Sequence, residues 1–274
     1  MAYRTPSTRS SMQSSRDPST GALATLVLPT YNAAAFVVDT VERVKGFLAR
    51  HPEWRVLFVC DGCNDGTEAL LRRLGPGFDV QAYARNRGKG FAIRTGFDAA
   101  ATPYLVFTDV DLSYDLEDAC RIVALLQEGA DLVVANRVDQ ASRYSIGPRD
   151  LATLYRRHLM SRTFNIWVRT LLPVRERDVQ AGLKGIRRAA WTALAAPFTI
   201  DGFGFDVELL ARTRQQGLRI VEMPVTFRYV DATTVAMLHD GIRMLREVIH
   251  IRRALRRPGA TPALATVASE SDRR

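Results

Sequence analysis

The sequence predicts an α/β protein with a doubly wound, mostly parallel sheet that carries helices on both faces. Between residues 22 and 137, short apolar runs alternate with segments of helical periodicity, an order typical of βαβ units. The runs are apolar throughout, as expected of strands that helices cover on both sides. Polar motifs containing glycine and aspartate follow several runs, where ligands bind in such sheets.

The first two strand and helix pairs are clearly marked. ALATLVLPT predicts a strand at 22–30 that Pro29 closes, and FVVDTVERVKGFLAR predicts a helix at 36–50 because its apolar residues recur at helical spacing. WRVLFVC predicts a buried strand at 54–60, and GTEALLRRL predicts a helix at 66–74.

The alternation continues through three more strands and two helices. FDVQAYA, YLVFTDV and ADLVVANR predict strands, and KGFAIRTGFDAAA and LEDACRIVALLQEG predict the helices between them. The strands are expected at 78–84, 104–110 and 130–137, and the helices at 89–101 and 116–129.

Beyond residue 137 the regular alternation ends. We expect a polar mobile loop at 138–150 and a long helix at 151–172. An extended segment with a glycine turn is expected at 178–188, a helix at 204–217 and a strand-like segment at 218–230. Gly147 and Pro148 mark the loop, and Pro224 interrupts the strand-like segment.

Length and composition favour one large globular domain. The 274 residues are 47% hydrophobic, and a chain of this size forms a core without disulfides. The first twenty residues are rich in Ser, Thr and Arg and lack the apolar centre of a signal peptide. We expect a disordered tail at 1–20 and a globular domain at 21–240. A basic amphipathic helix is expected at 241–258, followed by a second disordered tail at 259–274.

The formal charge of +9 is unevenly distributed. GIRMLREVIHIRRALRR mixes arginine with apolar residues at helical spacing. Such a helix either lies on an anionic membrane surface or packs on the domain with a basic outer face, and both remain open. Without a run of about twenty apolar residues, we expect a cytoplasmic location, with or without peripheral contact at the inner face of the membrane. Nucleic acid is not an expected partner, since the basic residues lack interleaved aromatic side chains.

The cysteines indicate a reducing compartment. Cys60, Cys63 and Cys120 are an odd number, and Cys60 and Cys63 form a C-x-x-C pair. The sequence offers no second C-x-x-C or histidine pair for zinc, and its four histidines are scattered. Small residues at a strand end are therefore favoured over a redox or zinc role.

The first three strand ends carry candidate ligand-binding residues. Pro29 and Tyr31 end the first strand. Asp61 follows the second, where its carboxylate either closes a turn or accepts a hydrogen bond from a base or ribose. Lys89 stands between two glycines before a helix, where backbone N–H groups and a lysine suit a phosphate; a basic turn explains them equally well.

The fourth strand ends in TDVDLSYD. Alternation along a strand places Asp109 and Asp111 on one side, where two carboxylates repel unless a cation lies between them. Mg²⁺ and Mn²⁺ prefer carboxylate, water and phosphate oxygens. The competing interpretation is a solvated strand end in which Asp111 or Ser113 caps the next helix. Together with Asp61 and Lys89, the motif predicts a nucleoside-diphosphate site with a divalent metal.

These motifs in chain order, LVLPTYN, VCDGCNDGT, RNRGKGFAIRTGF and FTDVDLSYD, resemble those of the family 2 inverting glycosyltransferases. The resemblance implies the GT-A fold, with a Rossmann-like nucleotide-binding half. RDVQAGLKGIRR, GFDVELL and EMPVTFRYVDATTV are further similar to the dolichyl-phosphate β-glucosyltransferase and polyprenyl-phosphate sugar transferase group. The resemblance covers roughly residues 22–257.

The resemblance also implies a role for each matching residue. On the donor side, the base, the nucleotide phosphates and the metal would be bound by Pro29, Tyr31, Asp61, Lys89, Asp109 and Asp111, with Asp109 and Asp111 as the metal-binding residues. On the sugar and acceptor side, the matching residues are Arg137, Gln180, Lys184, Asp206 and Glu208. Asp111 and Asp206 are the predicted catalytic residues.

The implied reaction is metal-dependent, inverting transfer of a hexose to a lipid phosphate. The expected donor is a nucleoside-diphosphate sugar, most simply UDP-glucose, the acceptor a polyprenyl or dolichyl phosphate, and the cofactor Mg²⁺ or Mn²⁺. A phosphate acceptor is already ionised, whereas a hydroxyl acceptor needs a carboxylate such as Asp206 to take its proton. Asp206 also has a simple explanation as a charge at a helix N-terminus.

Three departures from the family pattern keep other functions open. Cys60 and Cys63 replace an aspartate and a serine, Ala33 stands where a glutamate often follows, and VDATTV replaces Glu-Gly-Ser-Lys of the lipid-phosphate branch. The alternative is the same donor chemistry on a soluble hydroxyl acceptor, such as a natural product or small sugar. A non-catalytic nucleotide-binding module is the third hypothesis, and the sequence does not indicate an oligomeric state.

Overall fold

A computed structural model describes residues 21–74, 77–145, 163–194, 197–228 and 237–256, with the side chains of 237–244 left out. The two predicted tails, most of the predicted helix at 151–172 and the VDATTV segment lie outside the described residues. The described residues form a mostly parallel, seven-stranded sheet with helices, which confirms the predicted fold class.

Nine strands and eight helices follow one another in the described residues. The strands are β1 (Ala24–Thr30), β2 (Trp54–Asp61), β3 (Asp79–Tyr83), β4 (Tyr104–Thr108), β5 (Leu132–Asn136), β6 (Arg143–Ser145), β7 (Leu183–Arg187), β8 (Ile220–Pro224) and β9 (Thr226–Arg228). The helices are α1 (Val37–Arg50), α2 (Thr67–Leu74), α3 (Lys89–Ala99), α4 (Leu116–Gln127), α5 (163–171), α6 (Arg188–Ala193), α7 (Phe205–Gln215) and α8 (Met237–Leu255). None of the helices in the described ranges is long and apolar enough to cross a membrane.

The main sheet has the strand order β3-β2-β1-β4-β7-β5-β8. β7 pairs antiparallel with both β4 and β5, and the other pairs are parallel. Because β7 runs in the opposite direction, its first residue, Leu183, lies beside Thr108 at the end of β4. The segment before β7 therefore reaches the same edge of the sheet as the predicted ligand-binding motifs.

Two hydrophobic clusters cover opposite faces of the sheet. Along β1, Leu26 and Leu28 face a cluster that includes side chains of α1 and α4. Val27, between them, faces a second cluster with side chains of α3 and α7. Burial on both faces explains why the strands read as continuous apolar runs.

Some boundaries and small elements differ from the prediction. β4 ends at Thr108, two residues earlier than expected, and β6 lies within the segment predicted as a polar loop. β6 forms because it pairs with β9, a partner much later in the chain. Pro224 ends β8 at the edge of the main sheet, where a missing N–H is tolerated. The last helix begins at Met237 instead of 241.

Candidate active site

Asp61 holds the loop between β3 and α3 in place. Its side chain is 3% exposed, and its two carboxylate oxygens accept hydrogen bonds from the backbone N–H groups of Arg87 at 2.7 Å and Gly88 at 2.8 Å. Gly88 has a φ of +108°, and a Cβ there would lie 2.5 Å from the carbonyl oxygen of Asp201. This supporting role of Asp61 was not predicted, and its contact with a base stays a prediction.

Lys89, the first residue of α3, reaches the aspartate motif. Its Nζ lies 2.6 Å from Oδ1 of Asp109. Burial alone would lower the pKa of Lys89, but Asp109 and Asp206 outweigh it, and the net effect raises the pKa. Lys89 therefore carries its positive charge beside these carboxylates at neutral pH.

Asp109 and Asp111 lie on a turn instead of a strand. The backbone N–H of Leu112 donates to the carbonyl of Asp109 at 3.0 Å, and Leu112 has a φ of +49°. The prediction that strand alternation aligns the two side chains is therefore wrong, because the strand has already ended. Asp115 caps α4 by accepting a hydrogen bond from the N–H of Glu117 at 3.1 Å, so neither Asp111 nor Ser113 serves as that cap.

The environment of Asp111 disfavours its ionised form. Burial raises the pKa of its carboxyl, and the neighbouring Asp109 raises the pKa further. A hydrogen bond of 3.0 Å from the N–H of Ser113 acts in the opposite direction. Two carboxylates held close together in this way fit a divalent cation that prefers oxygen ligands.

Gly182 packs directly against Asp109. A Cβ at this position would overlap the carboxylate of Asp109. The N–H of Gly182 donates to the hydroxyl of Tyr114, which is buried, at 2.9 Å. The segment before β7 thus closes over the aspartate turn, and neither Gly182 nor Tyr114 was singled out from the sequence.

Lys184 and Asp206 form a buried ion pair behind this turn. Nζ of Lys184 donates to Oδ1 of Asp206 at 2.6 Å and to the carbonyl of Ala181 at 2.5 Å. Burial lowers the pKa of Lys184, although Asp206 acts in the opposite direction. The nitrogens of Lys184 and Lys89 lie 5.8 and 5.7 Å from the ring centroid of Phe107. The resulting group of neighbouring ionisable side chains, here called the charge row, consists of Asp111, Asp109, Lys89, Asp206 and Lys184.

Arg137 is bound by Asp178, a residue that sequence reasoning missed. The guanidinium donates to the Asp178 carboxylate from Nε at 2.7 Å and from Nη2 at 2.9 Å, and the backbone N–H of Arg137 adds a bond of 3.1 Å. Burial alone would raise the pKa of Asp178, but Arg137 lowers it below its usual range. The segment that contains Asp178 was noted in the sequence, but its pairing across 41 residues leaves no local signal.

Pro29, Tyr31 and Gln180 are other residues predicted to contact a ligand. Pro29 is buried in β1 beside Val59, and Tyr31 is exposed just after the strand. Gln180 is half-buried in the segment between Asp178 and Gly182. Contacts of these three residues with a base, sugar or acceptor stay predictions.

Glu208 is fully buried and supports the segment before Asp201. Its carboxylate accepts hydrogen bonds from the N–H groups of Thr199 and Ile200 and from Nε of Arg212, all within 3.0 Å. The backbone carbonyl of Asp201 in turn packs closely against Gly88, leaving no room for a Cβ there. The described contacts of Glu208 are therefore structural, and a contact with sugar or acceptor stays a prediction.

The model of the family described as Glycosyl transferase family 2 matches residues 25–190. The chain belongs to this family. Membership confirms the predicted resemblance and the predicted enzyme class, a glycosyltransferase.

Several named relatives are similar to this chain. Polyprenol monophosphomannose synthase from Mycolicibacterium smegmatis is 30% identical over 80% of this chain and 82% of its own length. Dolichyl-phosphate beta-glucosyltransferase from Saccharomyces cerevisiae is 24% identical over 84% of this chain and 74% of its own length. Glycosyltransferase AglD from Haloferax volcanii is 29% identical over 84% of this chain, which spans only 37% of that protein.

A solved structure supports the fold. Glucosyl-3-phosphoglycerate synthase from Mycobacterium tuberculosis, in complex with Mn²⁺, uridine-diphosphate and glucosyl-3-phosphoglycerate, superposes with a TM-score of 0.61. The match has 20% identity and covers 88% of this chain and 84% of that one. At this identity the likeness shows the shared architecture, which confirms the GT-A fold.

Proposed function

We propose that this chain transfers a hexose from a nucleoside-diphosphate sugar to a polyprenyl or dolichyl phosphate, with Mg²⁺ or Mn²⁺ as cofactor. The charge row at the carboxyl edge of the sheet carries this proposal. It combines two carboxylates on one turn with two lysines that balance negative charge. A diphosphate leaving group needs both kinds of charge nearby.

The donor set of the aspartate turn fits the cofactor. Asp109 and Asp111 offer hard carboxylate oxygens, and Mg²⁺ commonly takes one or two carboxylates together with substrate phosphates. A bound divalent ion would neutralise charge that develops on the departing diphosphate. Lys89, already beside Asp109, would add a second positive charge on the same side.

The pairing of Asp206 favours a phosphate over a hydroxyl as acceptor. Its Oδ1 already accepts a charged hydrogen bond from Lys184, and Asp206 is 4% exposed. To act as a base toward a hydroxyl acceptor, Asp206 would have to accept the proton while Lys184 is already bound to its Oδ1. A phosphate acceptor attacks as an anion and needs no base, so Lys184 and Asp206 would orient the site without moving a proton.

The names of two relatives support a lipid phosphate as the acceptor, but they differ in the sugar that is transferred. One is named for dolichyl phosphate and glucose, and the other for a polyprenol and mannose. We propose glucose from UDP-glucose as the first combination to test, and mannose from a nucleotide donor as the second.

The test is a transfer assay with the full chain, polyprenyl phosphate in detergent, Mn²⁺ or Mg²⁺, and a panel of radiolabelled nucleotide sugars. We expect one donor to give lipid-linked hexose, and both EDTA and Asp111→Asn to abolish the product. Asp115→Asn is the matched control, because Asp115 is a nearby carboxylate that caps α4 and asparagine also caps helices. Unchanged transfer in Asp111→Asn, with circular dichroism unaltered, would contradict the proposed site.

The soluble hydroxyl acceptor is tested in the same assay. Transfer to small sugars or natural products at a rate that lipid does not increase would favour that alternative. Metal-dependent UDP binding without transfer to any acceptor would favour a binding module.

A further inference from the structure

The end of α1 meets the start of α4 at a cluster of three metal-binding side-chain types. His51 follows α1, and Glu117 and Cys120 lie in the first turns of α4. Nε2 of His51 lies 3.0 Å from Oε2 of Glu117 and 3.9 Å from Sγ of Cys120. One ligand atom from each residue lies within 4.8 Å of the other two. None of the three belongs to the charge row.

The backbone and neighbouring side chains hold this cluster together. Glu117 and Cys120 are three residues apart on α4 and therefore share a face of the helix. The His51 ring packs on Phe47 with a centroid separation of 4.7 Å. Oε1 of Glu53 lies 3.6 Å from Nδ1 of His51, on the other side of the ring from Glu117. At 3.6 Å this contact is longer than a hydrogen bond, so Glu53 would have to move closer to orient the ring in the way carboxylates orient metal-binding histidines.

We propose that His51, Glu117 and Cys120 bind a divalent transition ion of the zinc class, with the fourth coordination position open to solvent. One imidazole, one thiolate and one carboxylate are ligands that Zn²⁺ accepts together. The sulfur and the imidazole favour such an ion over Mg²⁺ or Mn²⁺, which suit the all-oxygen aspartate turn. The proposal does not depend on the proposed transferase activity.

The distances fit a tetrahedral ion with small side-chain movements. With metal–ligand bonds of about 2.0–2.3 Å, the ligand atoms of a tetrahedron lie about 3.3–3.7 Å apart. The separations from Nε2 of His51, 3.0 Å to Glu117 and 3.9 Å to Cys120, lie on either side of this range. Arg50 contacts Glu117 at 2.9 Å and must move aside, while its Nη1 already has a second partner in the carbonyl of Gly46.

The ligands are reachable from solvent, and the thiol is the ligand that must lose a proton. The side chains of His51 and Glu117 are 23% and 47% exposed. Arg50 lowers the pKa of Glu117, which is therefore ionised at neutral pH. Burial, with Glu117 and Glu53, raises the pKa of Cys120 to about 11, so the thiol must release a proton when it binds a metal.

The experiment is an anaerobic titration of the full chain with Co²⁺, followed by the thiolate-to-cobalt charge-transfer absorption and by displacement with Zn²⁺. We expect one equivalent of sulfur-ligated cobalt. Cys120→Ser should remove the absorption, and His51→Gln should weaken binding at least about tenfold. Cys63→Ser is the matched control, since it removes a half-buried thiol outside the cluster and should leave the absorption unchanged.

Each other outcome overturns the proposal. Absence of sulfur-ligated cobalt in the wild type at micromolar metal would do so. Loss of the absorption in Cys63→Ser but not in Cys120→Ser would place the thiolate ligand at the C-x-x-C pair instead. Asp111→Asn should retain the absorption, because the all-oxygen aspartate turn cannot give a thiolate-to-cobalt band; loss of the band in this variant would contradict the assignment of the thiolate ligand to a separate site. Glu117→Gln changes a half-exposed side chain, so its weaker binding is measurable without concern for folding.

Discussion

At the scale of single residues, Asp109 has close neighbours on both sides of its carboxylate. Lys89 lies 2.6 Å from one of its oxygens, and the backbone of Gly182 occupies the space on its other side. Asp111 is close enough for Asp109 to raise its pKa. These three neighbours define where the Asp109 carboxylate lies on the aspartate turn.

Gly182→Ala should therefore damage the site more than the fold. The added Cβ overlaps the Asp109 carboxylate and displaces it, and a shift of about 1 Å can reduce a rate on the order of 100-fold. Overpacking should lower the free energy of unfolding by about 1–3 kcal/mol. The measurements are transfer rate and denaturant unfolding.

Gly46→Ala is the control for this substitution. A Cβ at Gly46 meets only the end of Arg50 at 3.8 Å, an ordinary contact within α1. It should leave transfer unchanged and stabilise the helix by about 0.5–1 kcal/mol. Equal transfer rates in the two alanine variants would show that Gly182 does not position Asp109.

At the scale of elements, Arg137 and Asp178 tie the end of β5 to the segment before β7. The carboxylate of Asp178 is 3% exposed and accepts three hydrogen bonds from Arg137. Its pKa is lower in the folded state than the unfolded value of about 3.9. The pair therefore contributes stability that is complete above the unfolded pKa and is lost as the pH falls through the folded pKa.

Asp178→Asn should destabilise the protein at neutral pH but not in acid. Loss of the charge should lower the free energy of unfolding by about 2–3 kcal/mol at pH 7. The difference from wild type should shrink as the pH falls below about 4, because the wild-type carboxyl also becomes protonated. Urea unfolding at several pH values measures this. Asp139→Asn, at a partly exposed position after β5, should show a small difference at every pH, because asparagine can also accept the hydrogen bond from the N–H of Ala141. A pH-independent difference for Asp178→Asn would contradict the explanation.

α8 combines a packed face with an exposed one. Val248 and Ile251 are buried in the cluster that contains α7, whereas Leu245 and Ile249 are 38% and 41% exposed. Arg253 is also exposed. The two alternatives for this helix, packing and membrane contact, are therefore compatible.

Binding to anionic phospholipid vesicles should depend on the exposed face of α8. Each arginine near such a surface contributes about 1 kcal/mol, so Arg253→Gln should weaken binding roughly fivefold. Ile249→Gln should also weaken it by removing apolar contact. Ile166→Gln, at a position that is 61% exposed on α5, is the control. Co-sedimentation measures binding, and equal effects of the two isoleucine variants would argue against α8 as the contact.

At the scale of the whole molecule, ligand binding should stabilise the fold measurably. A ligand at about 100 times its dissociation constant adds about 2.7 kcal/mol to the free energy of unfolding. For a domain of this size, that raises the melting temperature by roughly 5–10 °C. We expect this shift with UDP plus Mn²⁺ and a much smaller one with UDP alone.

The controls separate the site from general attraction to the charge of +9. Asp111→Asn should lose the metal-dependent part of the shift, while Asp115→Asn should keep it. A shift of the same size in wild type and Asp111→Asn would mean that UDP binds elsewhere or without the aspartate turn.

Local pattern in the sequence determined the parallel half of the sheet and the position of the candidate site. The first five strands and the helices between them were predicted because buried strands and amphipathic helices have periodicities that neighbouring residues reveal. Asp61, Lys89 and Asp109 were placed at one edge because parallel strands end at the same edge of a sheet. The region that matches the family model, residues 25–190, contains these motifs.

Only the tertiary structure decided which side chains meet. Lys184 with Asp206, and His51 with Cys120, join positions 22 and 69 residues apart in the chain. The local sequence pattern also does not predict that β7 inserts antiparallel between β4 and β5, which brings Gly182 next to Asp109. The physical reason is that periodicity reports which face of an element is buried, whereas charge pairing and metal-ligand geometry depend on how distant elements pack.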